Sequence, residues 1–185
     1  MPPFPIATGL LIAWLCLHRW GAHRGAGDLA EAGTGDRPWT TWLLIGETMV
    51  LGIGSATTSW LGWFEPVLGA TVAGNVLMAI AVGTTWAARR ALGRHFSIHL
   101  KAGDEHELIT AGIYGRIRHP IYTGDLLFHV AVPLIVGAWP FLVFAPLYAA
   151  IVYFRMESEE ALLTERYAGY AAYTQTSARL FPGIY

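Results

Sequence analysis

Apolar and polar positions follow one another along this chain in long blocks rather than alternating residue by residue. Residues 4–17 are predominantly apolar, as are 40–60, 66–88, 121–136 and 138–154. Runs of this length are too long for strands. Those at 40–60 and 66–88 also reach the ~20 residues that a bilayer core asks of a helix. Only residues 61–65 separate the second run from the third, so these two must form an antiparallel hairpin. The last two runs are shorter and meet at Gly137, which with Trp139 and Pro140 marks a turn between them. The pattern predicts five membrane-spanning helices. The first lacks a basic stretch ahead of it and a small-residue cleavage site behind, so it reads as a retained span rather than a signal peptide.

Between and after these runs the chain turns polar. Residues 18–38 form a Gly/Ala-rich loop with scattered charges, and 89–120 is the most charged interval between spans. From Arg155 onward the pattern is polar and helical, with Leu162, Leu163, Tyr167 and Tyr170 at helical spacing predicting a helix over 156–173. No internal repeat and no second soluble domain are visible. The expectation is a single membrane domain over 1–185, in which 1–88 supplies three spans and 89–185 carries the chemistry.

Composition agrees with the pattern. The chain is 54% hydrophobic and 14% charged, with mean hydropathy +0.42, whereas soluble domains carry about 25% charged residues. This is the profile of an all-α, polytopic membrane protein, for which no nucleic-acid partner is expected. Cys16 is the lone cysteine, which excludes a disulfide framework, and no Cys/His cluster proposes a zinc site. Charge then orients the spans. With five alternating spans, the loops at 18–38 and 89–120 and the C-terminal tail share one side. Together they hold all 12 Lys and Arg, while Glu65 is the single loop charge on the other side. The positive-inside rule places the polar side in the cytoplasm and the N-terminus outside.

Candidate chemistry concentrates at 112–124, where Gly112, Tyr114, Gly115, Arg116, Arg118, His119, Pro120, Tyr122 and Gly124 crowd a turn that opens onto an apolar run. Pro120 suits the first position of a helix, where its missing N–H costs nothing and its φ is already helical. Arg118 and His119 then stand at the helix mouth, beside backbone N–H groups and the positive end of the dipole, a junction that suits an anion. The plainer reading is a basic collar at a membrane surface. Glu47, Asn75 and His129 fall inside apolar spans, where polar groups are costly and are either functional or paired. His95 and His99 have a four-residue spacing that could ligate a metal, but no carboxylate or thiol matches them, so no metal is expected. Glu157, Glu159, Glu160 and Glu165 read by themselves as a solvated helix face, and Tyr167, Tyr170 and Tyr173 as interfacial anchors.

Two separated blocks together carry a resemblance. His106, Leu108, Ile109, Thr110, Gly112 and Tyr114, followed by Arg118, His119, Pro120, Tyr122 and Gly124, form the first. Arg155, Glu159, Glu160, Leu163, Tyr167, Tyr170 and Tyr173 form the second, closed by Arg179 and Pro182. In order and spacing, over roughly residues 92–182, this resembles the C-terminal signature of the isoprenylcysteine carboxyl methyltransferase family, whose core the phospholipid methyltransferases share. Asp125 departs from the pattern, since an apolar or aromatic residue is expected after the glycine; it could select a cationic or hydroxylated acceptor.

The resemblance implies an integral membrane enzyme that uses S-adenosylmethionine, held in a cytoplasmic pocket under the polar connector and tail. His106, Leu108, Tyr114, His119, Pro120 and Tyr122 would line that pocket, with Glu159 and Glu160 as its acidic side. Arg118 would brace it, and Arg155 would face a lipophilic methyl acceptor arriving from the membrane lipid. Methyl transfer from a sulfonium is an in-line displacement, and a carboxylate acceptor, ionised above a pKa of about 4, needs no general base. Arg155 could hold such a carboxylate through its planar fork. The expected activity is therefore a carboxyl O-methyltransferase. An amine or thiol methyltransferase of the same superfamily stands beside it as an alternative, and an NADPH-dependent sterol-type reductase or a membrane scaffold lies further off.

Overall fold

The computed structural model describes residues 38–92 and 108–184. The expected first span, the loop behind it and the connector holding His95, His99 and His106 lie outside the described residues. Five α-helices appear in chain order: α1 (Pro38–Trp60), α2 (Leu68–Leu92), α3 (Pro120–Val136), α4 (Phe144–Arg166) and α5 (Tyr170–Thr176). Short 3-10 helices at Gly112–Gly115 and Trp139–Val143 precede α3 and α4. Among the described residues there is no strand, and one isolated parallel bridge joins Ile117 to Ala178. The fold is all-α, as expected.

Among the described residues two helices are long and apolar enough to cross a membrane, Leu68–Leu92 and the stretch Trp139–Arg166; α3 is apolar but shorter, at 17 residues. The expected second span is the 23-residue α1, which does not reach the same apolar level because of its Gly, Ser and Thr content and Glu47. One expectation is corrected here. The polar segment after Arg155 is not a separate helix over 156–173. The fifth apolar run continues without a break to Arg166, and a new short helix starts at Tyr170 after a turn. No proline or glycine stands at 155, so nothing stops the hydrogen-bond ladder there, whereas Gly169 follows the real end.

The tightest packing is between α2 and α3. The buried residues of α2 are Thr71, Gly74, Met78, Ala81, Thr85 and Ala88, alternating three and four apart, so they form one stripe of mostly small side chains. Lipid tails are as apolar as leucine, so close van der Waals approach rather than exclusion from water joins helices in a bilayer. The approach is close in fact. A Cβ on Gly74 would meet Ala131 O at 2.9 Å, and one on Gly124 would meet Thr85 Oγ1 at 2.3 Å and Ala81 O at 3.0 Å. Leu51, Met78, Phe128, Ala131 and Ile135 build one core cluster; Tyr148, Val152, Met156 and Leu180 build a second.

The helices alternate in direction, and their turns sort into two ends. Gly137 caps α3 in the left-handed conformation, φ 75°, and packs so close to Glu65 and Pro66 that a Cβ there would stand 2.9 Å from Glu65 O. The α1–α2 and α3–α4 turns therefore share one end of the bundle. The C-terminus of α2, the start of α3, the polar half of α4 and the tail gather at the other. Every described Arg lies at or near this second end: Arg89, Arg90, Arg116, Arg118, Arg155, Arg166 and Arg179.

Candidate functional site

Pro120 occupies the first turn of α3 with His119 as N-cap, as its fixed φ dictates. The expectation of an open, anion-ready helix mouth is altered by the tail. Arg118 N–H donates to Ala178 O at 2.8 Å, His119 N–H to Arg179 O at 3.0 Å, and Ala178 N–H returns to Arg116 O at 3.0 Å. Thr123 adds its hydroxyl to Leu180 O at 2.9 Å. Residues 177–180 thus lie along the segment that leads into α3, and the carboxylate at the helix mouth is the protein's own Glu160.

Glu160 is saturated. Its Oε1 accepts from Arg118 Nε and from His119 Nε2, each at 3.0 Å, and its Oε2 accepts from Arg179 Nη2 at 2.7 Å and Nε at 3.0 Å. Because a carboxylate accepts only, His119 must carry a proton on Nε2. Arg118 also turns its Nη1 to the carbonyls of Thr174 and Ser177, and Arg179 reaches Glu157 at 2.5 Å. Two guanidiniums and an imidazole around one carboxylate make a charge-assisted clasp between α3, α4 and the tail.

Glu159, the next residue, is placed differently. Its side chain is 37% exposed, against 12% for Glu160. Tyr122 donates its hydroxyl to Glu159 Oε1 at 2.5 Å, and Arg155 Nε is shared between Tyr122 Oη at 2.8 Å and Glu159 Oε1 at 3.0 Å. Arg155 and Glu159 lie one helical turn apart, which sets both on one face of α4. Glu159 Oε2 stands 3.7 Å from His119 Nδ1, too long for a hydrogen bond, so that oxygen keeps accepting capacity on a part-exposed edge. His119 and Tyr122 stack with centroids 5.7 Å apart.

The structure therefore brings Arg118, His119, Tyr122, Arg155, Glu159 and Glu160 into one cluster, two hydrogen-bonded sets joined by the stacking of His119 on Tyr122, with Pro120 buried. Tyr114 is buried next to it, within electrostatic reach of Glu159 and Arg89. Leu108 opens the second described segment and is part-buried; His106 lies outside the described residues. Tyr170 and Tyr173 are not interfacial anchors: both are buried, and Tyr173 donates to the Tyr114 backbone carbonyl at 2.6 Å. Burial pushes the phenols of Tyr114, Tyr170 and Tyr173 above their ordinary values, so Tyr173 stays protonated and remains a donor. The solvated-face reading holds for Glu157 and Glu165, which are exposed, and fails for Glu159 and Glu160. Sequence reasoning missed the part played by Arg179; its only signal was its place at the close of the second block.

A second polar group lies deeper in the bundle and answers the question left at Glu47, Asn75 and His129. His129 Nε2 is 3.0 Å from Glu47 Oε2, and its Nδ1 is 2.6 Å from the Asp125 backbone carbonyl. Tyr148 stacks on His129 with centroids 4.2 Å apart and donates its hydroxyl to Asp125 Oδ2 at 2.9 Å. Asn75 is held by its own helix, through Nδ2 to Thr71 O at 2.8 Å. Tyr148 was missed because a tyrosine in an apolar run carries no signal by itself.

Comparison with known families decides the identity. The family described as phospholipid methyltransferase matches residues 70–169, more than half of the 185 residues. The chain belongs to the phospholipid methyltransferase family. None of the curated proteins matches it. This is the family whose core the isoprenylcysteine carboxyl methyltransferases share, so the resemblance read from the two blocks stands. The match takes in α2, α3 and α4 with Arg118, His119, Tyr122, Arg155, Glu159 and Glu160, and ends before Arg179. Family and apolar helices together make this phospholipid methyltransferase relative a membrane methyltransferase.

Proposed function

We propose that this chain transfers a methyl group from S-adenosylmethionine to a lipophilic acceptor that reaches the site from the bilayer. The observation that carries this reading is convergence. Residues before and within the first turns of α3 and residues two to three turns from the end of α4 meet in one polar cluster, and a scaffold would give them no shared task. Glu159 is the residue whose donor set fits the cofactor: part-exposed, with an oxygen able to accept from an ammonium or from ribose hydroxyls. Tyr122 and Arg155 hold it in place, and Glu160 with Arg118, His119 and Arg179 forms the frame. Tyr114 and Pro120 lie beside this group, and the resemblance adds Leu108 and, outside the described residues, His106. When bound, the cofactor supplies an electrophilic methyl on sulfonium; the protein supplies alignment, worth on the order of 7–11 kcal/mol.

In this reading the chain has five spans, its N-terminus outside and its Arg-rich end in the cytoplasm. The acceptor falls in one of two classes. A carboxylate would sit on Arg155, as the family resemblance implies, and would face Glu159 across the same guanidinium. An amine or thiol avoids that repulsion, and one observation favours it: Asp125 stands one turn below Tyr122, on the bilayer side of the site. Isothermal titration of detergent-purified protein tests the cofactor. S-adenosylhomocysteine binds and NADPH does not; NADPH binding alone would mean a reductase, and binding of neither a scaffold.

A further inference from the structure

Asp125 is this chain's own departure from the pattern it otherwise follows, and the structure surrounds it with a built environment. From Tyr122 it is three residues further along α3, about 4.5 Å deeper at a rise of about 1.5 Å per residue and on the same face. Tyr148, from α4, donates to its carboxylate at 2.9 Å. His129, from the next turn of α3, bonds its backbone carbonyl at 2.6 Å, and Glu47, from α1, holds His129 at 3.0 Å. Arg89, at the end of α2, lies within electrostatic reach. All four long helices thus meet at Asp125.

This is more than a cluster of acids. Both neighbours of the His129 ring, a backbone carbonyl and a carboxylate, are acceptors, which holds the ring between α1 and α3. The other oxygen of Glu47 is buried with no hydrogen-bond partner, in a residue only 7% exposed. Thr85 Oγ1 is likewise buried and unpartnered, and it faces Gly124 beside Asp125. Polar atoms orphaned inside an apolar bundle are costly and call for a reason, and a polar ligand at Asp125 would supply one for Glu47.

We propose that Asp125, presented by Tyr148 and positioned by the Glu47–His129 pair, binds the head of the methyl acceptor, whose nucleophilic atom carries hydrogen: an amine or a thiol rather than a carboxylate. The inference rests on the methyltransferase reading. The lone pair of the nucleophile forms the new bond to the methyl carbon while the carbon–sulfur bond breaks and its electron pair leaves on sulfur. The proton displaced from the nucleophile passes to the Asp125 carboxylate. A carboxylate acceptor would need no such base and would meet the Asp125 carboxylate as a like charge.

The test uses the full chain in lipid nanodiscs with tritium-labelled S-adenosylmethionine and three probes: dodecylamine, dodecanethiol and palmitate. Label passes to the amine or the thiol and not to palmitate, and the two probes distinguish the sources of the hydrogen-bearing head. Asp125→Asn lowers turnover at least tenfold and removes the acidic limb of the pH profile, while S-adenosylhomocysteine binding is unchanged. Tyr148→Phe, which keeps the ring and loses one hydroxyl, raises the acceptor KM severalfold and guards against misfolding of the first variant. Preference for palmitate overturns the proposal. So does an undiminished Asp125→Asn, or a protein that binds S-adenosylhomocysteine yet labels none of the probes. Failure of wild-type protein to bind S-adenosylhomocysteine at all would instead overturn the methyltransferase reading.

Discussion

At the scale of single residues, neighbouring glutamates have divergent work. Glu160 accepts from three cationic or imidazole side chains and is nearly covered; Glu159 accepts from Tyr122 and Arg155 and keeps an exposed edge. Their substitutions therefore separate. Glu160→Gln leaves Arg118 and Arg179 without their common counter-charge and should cost about 2–3 kcal/mol of stability, as hydrogen bonds to charged groups do. Thermal unfolding in detergent reads this as a lowered Tm. Glu159→Gln should leave Tm within a degree or two and weaken S-adenosylhomocysteine binding by about 1–3 kcal/mol. Equal effects of both variants on both measurements would mean that the two carboxylates are not divided between frame and ligand. The adjacency of the pair was plain in the sequence. Which of the two is sealed depends on the tail, which sends Arg179 to Glu160 and no residue of its own to Glu159's open edge.

At the scale of elements, the α2–α3 contact is the test case, because small residues rather than large apolar ones make it. Gly124→Ala puts a methyl group 2.3 Å from Thr85 Oγ1, and overpacking of this kind costs about 1–3 kcal/mol. Thr85→Ala removes the obstructing hydroxyl, so the double variant should recover much of the loss; Ala81 O, at 3.0 Å, keeps recovery incomplete. A double-mutant cycle on Tm measures the coupling, and strict additivity would show that the two sites do not touch. Gly124 also follows Tyr122 and precedes Asp125. The same close approach therefore holds both polar stations of α3 in register with α2.

At the scale of the whole molecule, topology carries the function, since the site assembles only if α3 and α4 return to one end. A reporter fused at Glu65 should lie outside and one at Gly103 inside. Both on the same side would remove the five-span arrangement and with it the cytoplasmic assignment of the site. Packing of Gly137 on Glu65 and Pro66 already ties the α1–α2 and α3–α4 turns together, and the described arginines occupy the opposite end.

The sequence by itself determined the helical class and the placing of α1, α2 and α3 to within about four residues, and the two blocks that carry the family resemblance named the six residues that converge. The helices follow from local rules: apolar run length, proline at a first helical turn and glycine at a turn. Tertiary structure decided the rest. It made α4 continuous past Arg155, because that boundary depends on an unbroken backbone ladder and not on polarity. It turned Tyr170 and Tyr173 inward, because the tail folds back over the start of α3. It paired Glu47 with His129, 82 positions apart, and gave Asp125 to Tyr148. Such pairings arise only where separate helices meet, and no periodicity along a single chain encodes which faces those will be.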